Sequence, residues 1–289
     1  MINFYMVERK ISFVDFYEKW WINKGDFEEK AAIRTNINGE EVKTFMDDIH
    51  SYTYTHQTIF NFFKAAVPYL LDIFKCEVHN CFIDVDQVSN LTEIFEFGVT
   101  KCQHLRIQGG REVREEEMQL VIEKITTSKM ELILNLSDVF YCNPDLFKTE
   151  ILGLSDNAVK WLTCDTFLRF QRISEIRMTN RKNLSLVPTD FIAFISQWYH
   201  SDNRQFRQLS ASVPWQLPRH LLKRFKPIMF NPKRRGPVFR SISKEINSAD
   251  GVDILRRDGL LATVYQRFNA LYFHVWHEPF PDFGDTTIM

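Results

Sequence analysis

A mixed α/β fold with α+β-like ends is predicted by three features of this chain. Between residues 81 and 213, short alternating apolar runs such as HLRIQG (104–109) and LILNLS (132–137) trade places with segments of helical periodicity. Near the start, AAIRTNINGEEVKTF (31–45) places two alternating runs around Asn38-Gly39, a strong hairpin signal. Near the end, residues 251–277 form three alternating runs, broken at Asp258-Gly259 and again near Asn269.

Taken in order, KISFVDFY (10–17) reads as a strand and residues 31–45 as a hairpin. TIFNFFKAAVPYLLDIF (58–74) places apolar groups at helical spacing, with Pro68 as a kink or break. Strands are expected near Leu105, Leu132, Trp161, Ile176 and Leu209, at separations of 27, 29, 15 and 33 residues. Leucine-rich-repeat solenoids repeat at about 20–29 residues, so the middle is expected to consist of irregular, leucine-rich-repeat-like βα units. Two helices fit between these strands. REEEMQLVIEKIT (114–126) opens with acidic residues and puts Met118, Val121, Ile122 and Ile125 on one stripe. VPTDFIAFISQWYH (187–200) does the same with Phe191, Phe194, Ile195 and Trp198, behind a capping Thr189.

Residues 213–239 hold five prolines and a basic run, and read as a linker. Three regions follow: 1–80, 81–213 and 214–289. The N-terminal hairpin and the C-terminal meander are expected to share one antiparallel sheet.

Composition narrows the function classes. With 289 residues and 45% hydrophobic content the chain can bury a sizeable core, and its 26 Phe are assigned to packing. The formal net charge is −1, so no global field draws it to nucleic acid or anionic lipid. The N-terminus acquires charges within ten residues, and no uncharged apolar run approaches the length of about 18 needed for a membrane span. An intracellular protein, cytoplasmic or nuclear and not membrane-bound, is expected, with the sequons at Asn90, Asn135 and Asn183 as chance matches.

Catalytic signals are sparse. Cys76-x-x-His79-x-Cys81 has irregular metal spacing and no second pair, and is assigned to residues at the end of a helix. His274 and His277, three apart on a strand, face opposite sides. There is no Gly-x-Ser-x-Gly elbow and no phosphate loop, since Gly109-Gly110 reads as a turn. No catalytic residue, cofactor or metal is assigned, and the chain is expected not to be an enzyme.

Two surfaces remain. If aliphatics at alternate strand positions point inward, Arg106, Gln108, Asn135, Arg177 and Thr179 form an outward row suited to protein contacts. The basic run Lys223, Arg224, Lys226, Lys233, Arg234 and Arg235 is either a solvated linker, a nuclear-import signal or a phosphate-binding patch.

WLTCDTFLRFQRISEIRM (161–178), PTDFIAFISQWYHSDNRQFRQLSASV (188–213) and VDILRRDGLLATVY followed by LYFHVW (252–276) resemble the F-box-associated domain, type 2, of nematode F-box proteins. The resemblance spans residues 155–277. It implies a strand, short helix and strand, then an aromatic helix and a closing strand, then a meander. It also implies a substrate-receptor role in a cullin-type ubiquitin ligase, in which this domain captures an unknown target protein. Family members dock a Skp-type adaptor through an F-box that opens with Leu-Pro. This chain begins with β-like sequence, so adaptor binding is expected only if an F-box lies upstream. A nuclear nucleic-acid-associated factor working through residues 223–235 is the alternative, although nucleic acid is not the expected partner.

Overall fold

The computed structural model describes residues 2–5, 10–13, 19–24, 33–37, 39–46, 50–55, 59–75, 77–137, 140–179, 184–241 and 245–277. Among the first 60 residues, side chains are described only for Asn36 and Ile37. Two compact units divide the chain, Met1–Thr149 and Glu150–Met289.

Among its described residues unit 1 holds nine strands and two α-helices. The strands are β1 (Ile2–Tyr5), β2 (Lys10–Phe13), β3 (Lys19–Lys24), β4 (Ile33–Ile37), β5 (Glu40–Met46), β6 (His50–Thr55), β7 (Val78–Asp84), β8 (Lys101–Val113) and β9 (Thr126–Leu136). The helices are α1 (Ile59–Phe74) and α2 (Glu115–Lys124). Strands run β9-β8-β7-β1-β2-β3-β6-β5-β4, with β9, β8, β7 and β1 mutually parallel. The predicted hairpin forms. Ile37 pairs with Glu40 across a two-residue turn, Gly39 takes φ of 91°, and its N–H donates to the Asn36 side chain at 2.7 Å.

Pro68 does not break α1, which runs unbroken for 16 residues. An interior proline costs roughly 3 kcal/mol. Phe62, Phe63, Ala66, Val67 and Leu70 are all buried around it, and each large side chain returns about 1.5–3 kcal/mol, so burial wins.

Unit 2, taken by itself, is also built on mixed parallel and antiparallel strands. Its strands are β10 (Ile151–Ser155), β11 (Glu175–Met178), β12 (Gln208–Ser212), β13 (Ile228–Met229), β14 (Val238–Arg240), β15 (Glu245–Asn247), β16 (Val252–Leu255), β17 (Leu261–Arg267) and β18 (Ala270–Trp276). Its helices are α3 (Cys164–Arg169) and α4 (Pro188–His200). The order is β13-β16-β17-β18-β12-β11-β10, while β14 and β15 form a separate two-stranded ribbon. β10, β11 and β12 are parallel; β18, β17 and β16 continue as the predicted antiparallel meander.

One face of this sheet is apolar, covered by an aromatic layer. Phe167 stacks on Phe194 at 4.6 Å, Phe194 meets Phe206 edge-on at 5.2 Å, and Trp198 meets Phe273 at 5.1 Å. The phenylalanine excess is packing here. α4 starts before the expected cap: Val187, not Thr189, is the cap residue, Pro188 and Thr189 lie in the first turn, and Asp190 accepts the Val187 N–H at 2.9 Å.

Four expectations need correction. Trp161 lies in a turn, not a strand; the strand is β10, ten residues earlier. β7 and β10 were not expected as strands, and with them the parallel strands begin at residues 78, 101, 126, 151, 175 and 208. The hairpin at Asn38-Gly39 and the meander form no common antiparallel ladder: β4 pairs with β5 and β5 with β6, whereas β16 pairs with β13 and β17. Nor is 213–239 an extended linker, because it contains a 3-10 segment at Arg219–Phe225, strand β13 and the start of the ribbon.

Candidate functional site

In unit 1 the alternation sorts side chains onto two faces. Leu105, Ile107, Leu132, Leu134 and Leu136 are buried, together with Met118, Val121 and Ile122 of α2. The opposite face carries lateral rows set by the parallel register: Phe82, Arg106 and Glu131 in one, Asp84, Gln108 and Ile133 in the next. All six are half-buried. Asn135, also half-buried, sits beside Glu112, past a bulge in β8. The bulge is made by Gly109, whose φ of 143° favours glycine; a Cβ there would lie 2.6 Å from Val85. Asp86 clasps it by accepting the Gly110 and Arg111 N–H groups at 2.8 and 2.6 Å, and those two donors lower its carboxyl pKa.

This face is held in one arrangement by its own contacts. His104 lies 3.1 Å from the Glu131 carboxylate, and Lys129 reaches the other oxygen at 2.6 Å. The His104 hydrogen bond, against the opposing pull of burial and aided by Lys129, brings the Glu131 pKa down to about 2. The Phe82 ring stands edge-on to His104 at 5.0 Å, with the Arg106 guanidinium 5.8 Å from its centroid. Arg106 donates to Gln108 at 2.8 Å. The result is a fixed mosaic of cation, anion, amide and aromatic groups on rigid strands.

Unit 2 treats its polar face differently. Glu175, Gln208, His274, Thr263 and Asp253 are lateral neighbours across β11, β12, β18, β17 and β16. All five are buried. The segment around the ribbon covers them: Phe239 stacks on His274 at 4.2 Å and meets Trp276 edge-on at 5.2 Å. Arg177 is half-buried and donates to Glu175 at 2.7 Å. Thr179 is exposed and bonds Ser155 at 2.6 Å. Arg106, Gln108 and Asn135 therefore belong to unit 1, and Arg177 and Thr179 to unit 2.

Beyond the ribbon the polar face opens into a groove of about 490 Å³. Its floor includes Tyr265 and Tyr272, stacked at 5.6 Å; burial, then the Tyr265 phenol, push the Tyr272 pKa up. Arg267, Asn247 and Thr179 line it, as does Phe268 at the tip of the β17–β18 hairpin. Phe268 has φ of 54° and is 80% exposed. A left-handed phenylalanine costs roughly 1–2 kcal/mol over glycine. Sequence reading missed this groove; the signal available was a phenylalanine in the turn where glycine is usual.

The basic run does not form one patch. Lys223, Arg224, Lys226, Lys233 and Arg234 are exposed, but Arg235 is buried. It donates to Asp253 at 2.8 Å and to the Ser248 carbonyl at 3.0 Å, and its guanidinium lies 4.5 Å from the Phe230 ring centroid. This corrects its assignment to a solvated run: Arg235 is a bolt between the covering segment and the sheet.

Cys76 lies outside the described residues. His79 and Cys81 stand on β7 rather than at a helix end, and burial raises the Cys81 thiol well above its ordinary pKa. Burial likewise lifts Cys102 to about 11 and Cys142 to about 12. His277 reaches the Phe206 carbonyl at 2.8 Å. Among the described residues no group of three His, Cys, Asp or Glu is placed to hold a metal ion, and no helix is long and apolar enough to cross a membrane. No protein-family model matches the chain, and neither a curated protein nor a solved structure does.

Proposed function

We propose that this chain is a protein-recognition module of the F-box-associated kind, working as a non-enzymatic substrate receptor of a cullin-type ubiquitin ligase. The observation that carries recognition is the unit 1 mosaic: Phe82, Arg106, Gln108, Glu131 and Ile133 in register on parallel strands, half-buried and cross-bonded. Such a face enters an encounter with few rotamers left to freeze, which lowers the cost of binding. The ligase assignment rests on the resemblance. In its favour, α3, β11, α4, β12 and the β16–β18 meander follow one another in the implied order. The strand starts, 23, 25, 25 and 24 residues apart from β7 to β11, fit irregular leucine-rich-repeat-like units. A Skp-type adaptor is a partner only of a product carrying an F-box. The nucleic-acid reading loses Arg235, whose charge is spent on Asp253.

The test is quantitative affinity capture with Arg106→Ala/Gln108→Ala/Asn135→Ala. Arg177 is left intact, because removing it would strand buried Glu175. Loss of a specific subset of captured proteins, with stability changed by less than about 0.5 kcal/mol per site, is expected. An unchanged set of partners overturns the proposal.

A further inference from the structure

The unit 2 groove has a chemistry of its own. Glu245 on its wall is paired with Arg240 at 3.0 Å. Arg267, also lining it, has no carboxylate partner among the described residues, and its guanidinium lies over Phe268 at 5.5 Å. The groove therefore offers one uncompensated cation beside a stacked tyrosine floor and an exposed phenyl ring. The tip that carries Phe268 is anchored: Gln216 donates to the Phe268 carbonyl at 2.8 Å, and Gln266 bonds Leu217 N and the Trp215 carbonyl at 2.7 and 2.8 Å.

We infer that this groove docks an acidic, aromatic-containing peptide segment of a partner protein. A carboxylate meets Arg267, with the bidentate geometry that guanidinium favours. A neighbouring aromatic side chain lies against Tyr265, Tyr272 and Phe268, where offset and edge-on ring contacts are favourable. The volume, about 490 Å³, holds a few side chains. A nucleic-acid strand fits less well, since its phosphates need a succession of cations and the groove shows one beside a carboxylate. The inference rests on the recognition reading and adds a second, separate contact to it.

The test selects from a phage-displayed dodecapeptide library on the immobilised full chain, then measures the best peptide by fluorescence anisotropy. Asp or Glu within two positions of Phe, Tyr or Trp is expected among the selected sequences. Affinity is expected to fall at least 10-fold in Arg267→Glu and about 3-fold in Phe268→Gly, a substitution suited to that backbone. The inference is overturned if no peptide is enriched, if the selected peptides lack acidic residues, if Arg267→Glu binds equally well, or if oligo(dT) displaces the peptide at lower concentration. The Arg106→Ala/Gln108→Ala/Asn135→Ala chain separates the two ideas. Peptides lost there but kept in Arg267→Glu remove the groove and leave recognition standing; no peptide enriched, with protein capture also unaffected by that triple variant, removes both.

Discussion

The two units solve the same problem in opposite ways. Each has an apolar face under helices and a polar face produced by strict alternation. In unit 1 the polar face stays half-buried, and its charges find one another along the surface: His104 and Lys129 on Glu131, Arg106 on Gln108. In unit 2 a comparable row, Glu175–Gln208–His274–Thr263–Asp253, lies beneath a covering segment, and Arg235 descends to neutralise Asp253. A polar strand face is thus a half-open surface or a buried seam according to what the chain lays over it. Alternation alone does not distinguish the two.

The sharpest way to break the comparison is at Arg235. Arg235→Ala leaves Asp253 buried without its cation, which costs roughly 3–5 kcal/mol. Urea unfolding is expected to show that loss, and Arg235→Met/Asp253→Leu is expected to recover much of it. A loss below about 1 kcal/mol in the single variant would mean that the seam is wet and open, like unit 1.

The next effect belongs to unit 1. With its folded pKa near 2, against about 4.3 for an unfolded glutamate, Glu131 contributes stability that is present above pH 4.3 and fades as pH falls toward 2. Glu117 behaves alike: burial works against its ionisation, but Arg111, the Leu91 N–H and Arg114 outweigh it and hold its pKa at about 2. Each is worth on the order of 2 kcal/mol. Glu131→Gln is expected to flatten the acid side of the stability profile; an unaltered slope would show that the mosaic is not electrostatically held.

The most local effect is at the bulge. Gly109→Ala meets Val85 and an unfavourable φ, and is expected to cost about 1–3 kcal/mol, with faster hydrogen exchange confined to β8 and β7. Uniform exchange across both units would deny the bulge its local role.

Much of this was legible in the sequence. Leu105, Ile107, Leu132, Leu134, Ile176 and Met178 announce their faces by alternation, and Asn38-Gly39 and Asp258-Gly259 announce their turns. β10 was not legible, because ILGLS is five residues long with a glycine at its centre, which weakens a strand signal. Trp161, an aromatic among apolar neighbours, imitates a strand but lies buried in a turn, edge-on to Phe170, ahead of the helix that Thr163 caps. Arg235 reads as one more cation in a basic run; only Asp253, 18 residues later and brought over by the fold, explains its burial. The groove escaped notice because Tyr265, Tyr272 and the ribbon meet only in three dimensions.

The decisive measurement is site-specific photo-crosslinking from the unit 1 face. Benzoylphenylalanine replaces Gln108 on the mosaic or, as a control, exposed Gln119 on α2, and illuminated cells are examined for covalent adducts. Adducts with a discrete protein from position 108 and none from position 119 are expected. Equal labelling from both positions, or none from 108, would contradict recognition through this face.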